Sequence, residues 1–123
     1  MLTLAPDLKI YVYASPTDMR NGVNGLSGIV RDQFSADPTD GSLFVFINRR
    51  GDRLKMLYFD GGGFWLYYRV LEAGTFETIS AEQASPVIEM DTTQLAMLLA
   101  GVSLMASKRR RKRFFTDTSA CAA

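Results

Sequence analysis

Apolar positions recur with two periods along this chain of 123 residues, and each change of period marks a new element. Residues 9–14 (KIYVYA) are β-branched and aromatic, the composition of a strand. Pro16 ends it, since proline has no N–H to offer a sheet. Thr17 or Asp18 is then placed to cap a helix by accepting its unpaired N–H groups. Met19, Val23, Leu26, Val30 and Phe34 follow at steps of four and three, the stripe of an amphipathic helix. Gly22, Gly25 and Gly28 share this stretch, and each is about 1 kcal/mol worse than Ala inside a helix. Two roles fit them: close packing of that face against a sheet, or an interface with a partner helix.

Asp37-Pro38 and Asp40-Gly41 punctuate a loop, after which the period shortens. Residues 42–48 (SLFVFIN) are apolar on both faces of a strand, which predicts burial from both sides. Residues 49–52 (RRGD) are turn chemistry and lead into a strand over 53–60. The glycine run at 61–63 makes a second tight turn before a strand over 64–71, so this stretch reads as an antiparallel meander. Glu72-Ala73-Gly74 closes it, residues 75–79 predict a short edge, and 87–90 predict one more short strand. Asp91 or Thr92 caps a last helix through Leu95, Met97, Leu98 and Leu99, stopped at Gly101. The expected fold class is α+β. A single antiparallel sheet, a meander of about four to six strands, has one helix from the N-terminal half and one C-terminal helix packed on it.

Composition supports a real core, with 47% hydrophobic residues including eight Phe, five Tyr and one Trp. One α+β domain over residues 1–107 is expected, followed by a basic, flexible tail over 108–123. The net charge of +1 hides an asymmetry between them. The first 107 residues hold eight Lys/Arg against twelve Asp/Glu, whereas the last sixteen hold six basic residues and one Asp. A basic tail on an acidic body is a layout suited to polyanions. Cys121 stands alone, so no intramolecular disulfide forms, in keeping with a reducing compartment. The first fifteen residues lack the basic start and cleavage site of a secretory signal. The most apolar window, 95–106, is twelve residues long, whereas a membrane span needs about twenty. A cytoplasmic protein with no membrane partner is expected.

The absent residue types narrow the chemistry. The chain has no His, so His-based acid–base catalysis and His-containing metal sites are excluded. It has no phosphate-binding G-x-x-x-x-G-K-[ST] loop, and its glycine run opens a strand rather than a helix. A metal-dependent nuclease would need clustered carboxylates. Asp18, Asp52 and Asp60 are the candidates, and each has an ordinary turn or capping role instead. The expectation is therefore a protein without catalysis, cofactor or metal, whose function is binding.

Two features suit that function. Lys108, Arg109, Arg110, Arg111, Lys112 and Arg113 form an unbroken cationic run, which draws phosphate through counterion release. The same run would also suit a solvated tail without a specific partner, or a contact with an acidic protein surface. The second feature is the hairpin group Arg49, Arg50, Arg53 and Lys55, with Arg69 on the next strand. If these strands alternate, Arg53 and Lys55 share a face with Leu57 and Phe59, and Trp65 and Tyr67 share one with Arg69. Cations beside rings suit a surface that stacks bases and tracks phosphates. Alternatively the rings are core and the cations rim it.

An ordered set of motifs resembles a known family. It runs through Thr17-Asp18-Met19-Arg20, Gly22, Gly25 and Leu26, then residues 43–46, Asn48-Arg49-Arg50-Gly51-Asp52-Arg53, Lys55 and Leu57. It continues with Tyr58-Phe59-Asp60-Gly61, Gly63-Phe64, Tyr68-Arg69, Leu71-Glu72, Gly74, Phe76, Gln94-Leu95, Leu98-Leu99, Gly101 and the basic close. Residues 9–115 in this order resemble the TnpB accessory proteins of the insertion-sequence sixty-six family, which are distinct from the RNA-guided nucleases sharing the TnpB name. Gly28, Phe59 and Val70 depart from the family's usual residues, and Val70 removes a second cation beside Arg69. The resemblance implies a role in transposition beside a separate transposase, without implying a reaction. Expected partners are DNA, the element's transposase or a sister accessory protein, and a second copy of the chain. A subunit that binds the transposase without touching DNA, through strand 43–47 or either helix, is the alternative.

Overall fold

The computed structural model describes residues 7–76 and 86–100, and its strands form where β-branched and aromatic residues concentrate. They are β1 (Ile10–Tyr13), β2 (Leu43–Ile47), β3 (Arg53–Asp60), β4 (Gly63–Val70) and β5 (Val87–Met90). Among the described residues they make one sheet in the order β4-β3-β2-β1-β5. The turn between β3 and β4 is built by Gly61 and Gly62 at φ +62° and +89°. Positive φ at both central positions lets a two-residue turn match the twist of the strands it joins.

The sheet is mixed, which corrects the expectation of an antiparallel one. β2, β3 and β4 form the predicted antiparallel meander, and β5 also runs antiparallel to β1. β1 and β2, however, are parallel, with Ile10 opposite Leu43 and Val12 opposite Val45. The cause lies in the connection. A tight turn reverses the chain, whereas a helix crossing a sheet face returns it in the original direction. Here helix α1 (Val23–Ile29) and a π-helical continuation (Val30–Phe34) lie between β1 and β2.

Helix α1 starts later than its apolar stripe predicts. Neither Thr17 nor Asp18 caps it. The cap position is Gly22, with no side-chain bond. Asp18 instead opens a turn of its own: its carboxylate accepts the Arg20 N–H at 2.9 Å, and its carbonyl accepts the Asn21 N–H at 3.2 Å. Such local bonds compete with helix formation and hold the chain out of the helix until residue 21. Sheet packing is not what requires the glycines either. A Cβ at Gly22 or Gly28 would meet nothing within 4 Å, and the nearest atoms to one at Gly25 are those of the Asn21 side chain.

Helix α2 (Thr92–Leu99) forms as its sequence predicts. The Asp91 carboxylate accepts the Gln94 N–H at 2.8 Å, while the Gln94 side chain accepts the Asp91 N–H at 3.0 Å. This reciprocal pair satisfies two backbone donors at once.

Alternation along β2 places Leu43, Val45 and Ile47 on one face and Phe44 and Phe46 on the other, and all five are buried as predicted. The first set packs with Ile10, Val12, Leu54, Met56, Met90, and Leu95 and Leu98 of α2. The second packs with Leu57 and with Leu26 and Val30 of the first helical segment. The two helices therefore cover opposite faces, and β2 lies between two cores. Phe34, at the end of the π-helical stretch, rests on Tyr13, Phe44 and Phe46, with ring centroids 5.3–5.8 Å apart.

No helix among the described residues is long and apolar enough to cross a membrane. Residues 77–79 of the expected edge, the stop at Gly101, the basic run at 108–113 and Cys121 lie outside the described residues. Thr75 and Phe76, which precede them, are not in a strand.

Candidate nucleic-acid interface

The turn between β2 and β3 is organised by one side chain. Asn48 Oδ1 accepts the N–H groups of Gly51 at 2.9 Å and Arg53 at 3.1 Å, and Asn48 Nδ2 donates to Asp52 Oδ1 at 2.9 Å. Gly51, at φ +79°, closes the turn, and its carbonyl accepts the Phe76 N–H at 2.7 Å. With its backbone fixed in this way, the turn presents Arg49 and Arg50 to solvent.

A second segment is held beside it. The Thr17 N–H donates to the Ile47 carbonyl at 2.9 Å, which extends the end of β2. Lys55 secures the next few residues, its Nζ donating to the carbonyls of Met19 at 2.7 Å and Asn21 at 2.9 Å. The ammonium also lies 4.9 Å from the centre of the Tyr68 ring. Lys55 is only 8% exposed, so it is a structural clamp with its charge met by carbonyl dipoles and a ring face.

Between the two segments lies a cleft of about 620 Å³, lined by Pro16, Thr17, Asp18, Met19, Asn48, Arg49, Arg50 and Arg53. Thr17 Oγ1 is buried and has no hydrogen-bond partner among the described residues. Arg53 donates from Nη1 to the Tyr68 hydroxyl at 3.1 Å, which orients its guanidinium.

Two carboxylates lie at or near the cleft, and neither cancels its charge. Asp18 is paired with Arg20, Nη2 to Oδ2 at 2.7 Å. That hydrogen-bonded pairing lowers the Asp18 pKa from 3.8 to about 2. Asp52 is held below the usual carboxylate range by the hydrogen bond from Asn48, with the Arg50 and Arg53 charges adding to it. Against these two stand Arg20, Arg49, Arg50 and Arg53, which leaves the locality cationic.

The sequence of residues 8–109 matches the family model described as IS66 Orf2 like protein. The chain belongs to the IS66 Orf2-like family. Two relatives from Sinorhizobium fredii (strain NBRC 101917 / NGR234) are similar to it. The uncharacterized protein y4jC is 37% identical over 103 residues, covering 84% of this chain and 86% of the relative. The uncharacterized protein y4hO is 35% identical over 102 residues, covering 83% of this chain and 87% of the relative. No solved structure matches. Membership in the IS66 Orf2-like family associates the chain with insertion sequences as an accessory protein.

Two motifs that carried the resemblance, residues 17–20 and 48–53, meet at this cleft although about thirty positions separate them. Of the predicted binding residues, the fold brings together Arg49, Arg50 and Arg53. Lys55 lies behind the cleft rather than in it. Arg69 lies opposite Leu54, and so on the face of the sheet away from Arg53 and Lys55. The cations of the tail, Lys108 to Arg113, lie outside the described residues. Among the described residues, no three acidic or Cys side chains are gathered closely enough to hold a metal ion. Asp18, a capping candidate in the sequence, lines the cleft instead, and Arg20 is paired with it. The signal for Asp18 is its place in the motif 17–20, beside Arg20.

Proposed function

We propose that this member of the IS66 Orf2-like family is a non-catalytic accessory factor in transposition that holds DNA by its phosphates at the cleft. The observation that supports this best is the convergence of Arg49, Arg50 and Arg53 there, with no ion pair to any described carboxylate. Guanidinium groups offer paired donors that match the geometry of phosphate oxygens. Residues 108–113 would add sequence-independent attraction.

The alternative, a subunit that contacts only protein, loses one of its expected surfaces. Strand β2 is buried on both faces and presents none of its side chains. The outer faces of the helices remain available to that alternative.

Fluorescence anisotropy with labelled DNA across a salt series tests the proposal. Binding should weaken steeply with salt, and replacing Arg49, Arg50 and Arg53 together with Gln should weaken it at every salt concentration. Absence of binding at low ionic strength, together with co-purification of the transposase, would replace the proposal with the alternative.

A further inference from the structure

Among the described residues, strand β4 is an outer strand of the sheet and bears the exposed large hydrophobic side chains, Trp65, Tyr68 and Val70. Gly63, Trp65, Tyr67 and Arg69 alternate onto one of its faces, the face away from Arg53 and Lys55. Trp65 is 53% exposed. Its ring lies nearly parallel to that of Tyr67, with 16° between the planes and 6.2 Å between centroids. On the other side of the indole the row has only Gly63, where even an added Cβ would meet nothing within 4 Å. The indole thus has a ring beside it and about half of its surface exposed. The row ends in Arg69, which is exposed and has no ion pair among the described residues.

We propose that Trp65, backed by Tyr67 and followed by Arg69, stacks the unpaired bases of a single-stranded nucleic acid. Any base can stack on an indole, and a neighbouring guanidinium meets the phosphate that accompanies it. The direction of the row fits this occupant. Arg69 pairs with Leu54, one residue beyond Arg53, so the row runs from the glycine turn toward the end of the sheet that holds the cleft. From Trp65 to Arg69 is about 14 Å at a strand's rise per residue. A strand stacked on the indole would therefore meet Arg69, on the face of the sheet opposite Arg53. A base-paired duplex hides its ring faces and offers only phosphates to such a surface. Charge complementarity favours a polyanion over an apolar polypeptide at this edge, because the row ends in an uncompensated cation. The inference rests on the nucleic-acid function proposed above and specifies the form of the ligand.

Trp65 is the only tryptophan in the chain, so its emission reports on this site alone. The full-length protein should be titrated with a labelled oligothymidylate and with a duplex, reading anisotropy and tryptophan emission together. The single strand should quench Trp65. Trp65→Ala should weaken single-strand binding about tenfold or more, the scale of one lost stacking contact. Duplex affinity should stay unchanged, and Trp65→Phe should recover most of the loss. Single-strand binding that leaves Trp65 emission and the Trp65→Ala affinity unchanged would overturn the inference while leaving the cleft proposal standing. Equal losses for single strand and duplex would overturn it as well. So would a wild-type dimer that Trp65→Ala converts to monomer, since the edge would then be a protein interface. If neither oligonucleotide binds at low salt, the cleft proposal fails first and this one with it.

Discussion

Lys55 shows how far a residue's type underdetermines its role. Its place in the basic hairpin suggests a phosphate contact, yet its ammonium is buried and holds the carbonyls of Met19 and Asn21. Replacing it with Met preserves the stem and leaves two carbonyls without a donor. Hydrogen bonds from charged groups contribute about 1.5–3 kcal/mol, so Lys55→Met should lower urea-unfolding stability by about 2 kcal/mol. Arg49→Gln, on an exposed turn, should change it by less than about 0.5 kcal/mol. Equal effects of the two substitutions would show that Lys55 is no clamp. Asp18 gives a second test at this scale. Its pKa is lowered from 3.8 to about 2 by Arg20, so the pair contributes stability above pH 3.8 and loses it as pH falls toward 2. The Asp18 carboxyl carbon, followed by NMR, should titrate with a midpoint near 2. A midpoint at the ordinary 3.8 would mean that the pair does not persist in solution.

Among the elements, the turns and the helix starts carry the most distinct predictions. Gly62 sits at φ +89°, where an L side chain is strained, whereas a Cβ at Gly28 meets open space inside α1. Gly62→Val should therefore destabilise the protein by about 1–2 kcal/mol. Gly28→Ala should stabilise it by up to about 1 kcal/mol. Thermal unfolding of both variants checks the pair, and a loss at Gly28 would point to a neighbour that needs the space. Element type was legible because the signals were local. Asn48 to Asp52, the glycine run and Asp91 with Gln94 each define a turn or cap within a few residues. Strand direction was not read correctly, although the helical stripe between residues 14 and 42 held the clue. A helix between two strands is the signature of a parallel pair, whereas the tight turns downstream encode antiparallel pairing only for the strands they join. The face of each cation was also legible, by counting alternate residues. Whether a cation would be free or bound was not, since the partners of Lys55 lie 34 and 36 positions away.

For the whole molecule, phosphate binding predicts a dependence on salt that can be divided among groups. Each phosphate contact contributes about 0.7–0.9 to the slope of log affinity against log salt. Neutralising Arg49, Arg50 and Arg53 should flatten that slope by about 2–3, and replacing the six cations of 108–113 with Gln should flatten it further. An unchanged slope in the triple variant would remove those three residues from the interface. The strand order also dictates a sequence of events during synthesis. Strands β2, β3 and β4 are contiguous and can zip together as soon as residue 70 has left the ribosome. The first strand made, β1, needs β2 across a helical crossover on one side and β5, completed at Met90, on the other. Distant pairings close slowly because the intervening chain must first be ordered. In refolding with pulsed hydrogen exchange, amides of residues 43–70 should gain protection first, and those of Ile10–Tyr13 and Val87–Met90 should follow together. The nascent chain thus carries one edge of its earliest strand uncovered until Met90 has been translated.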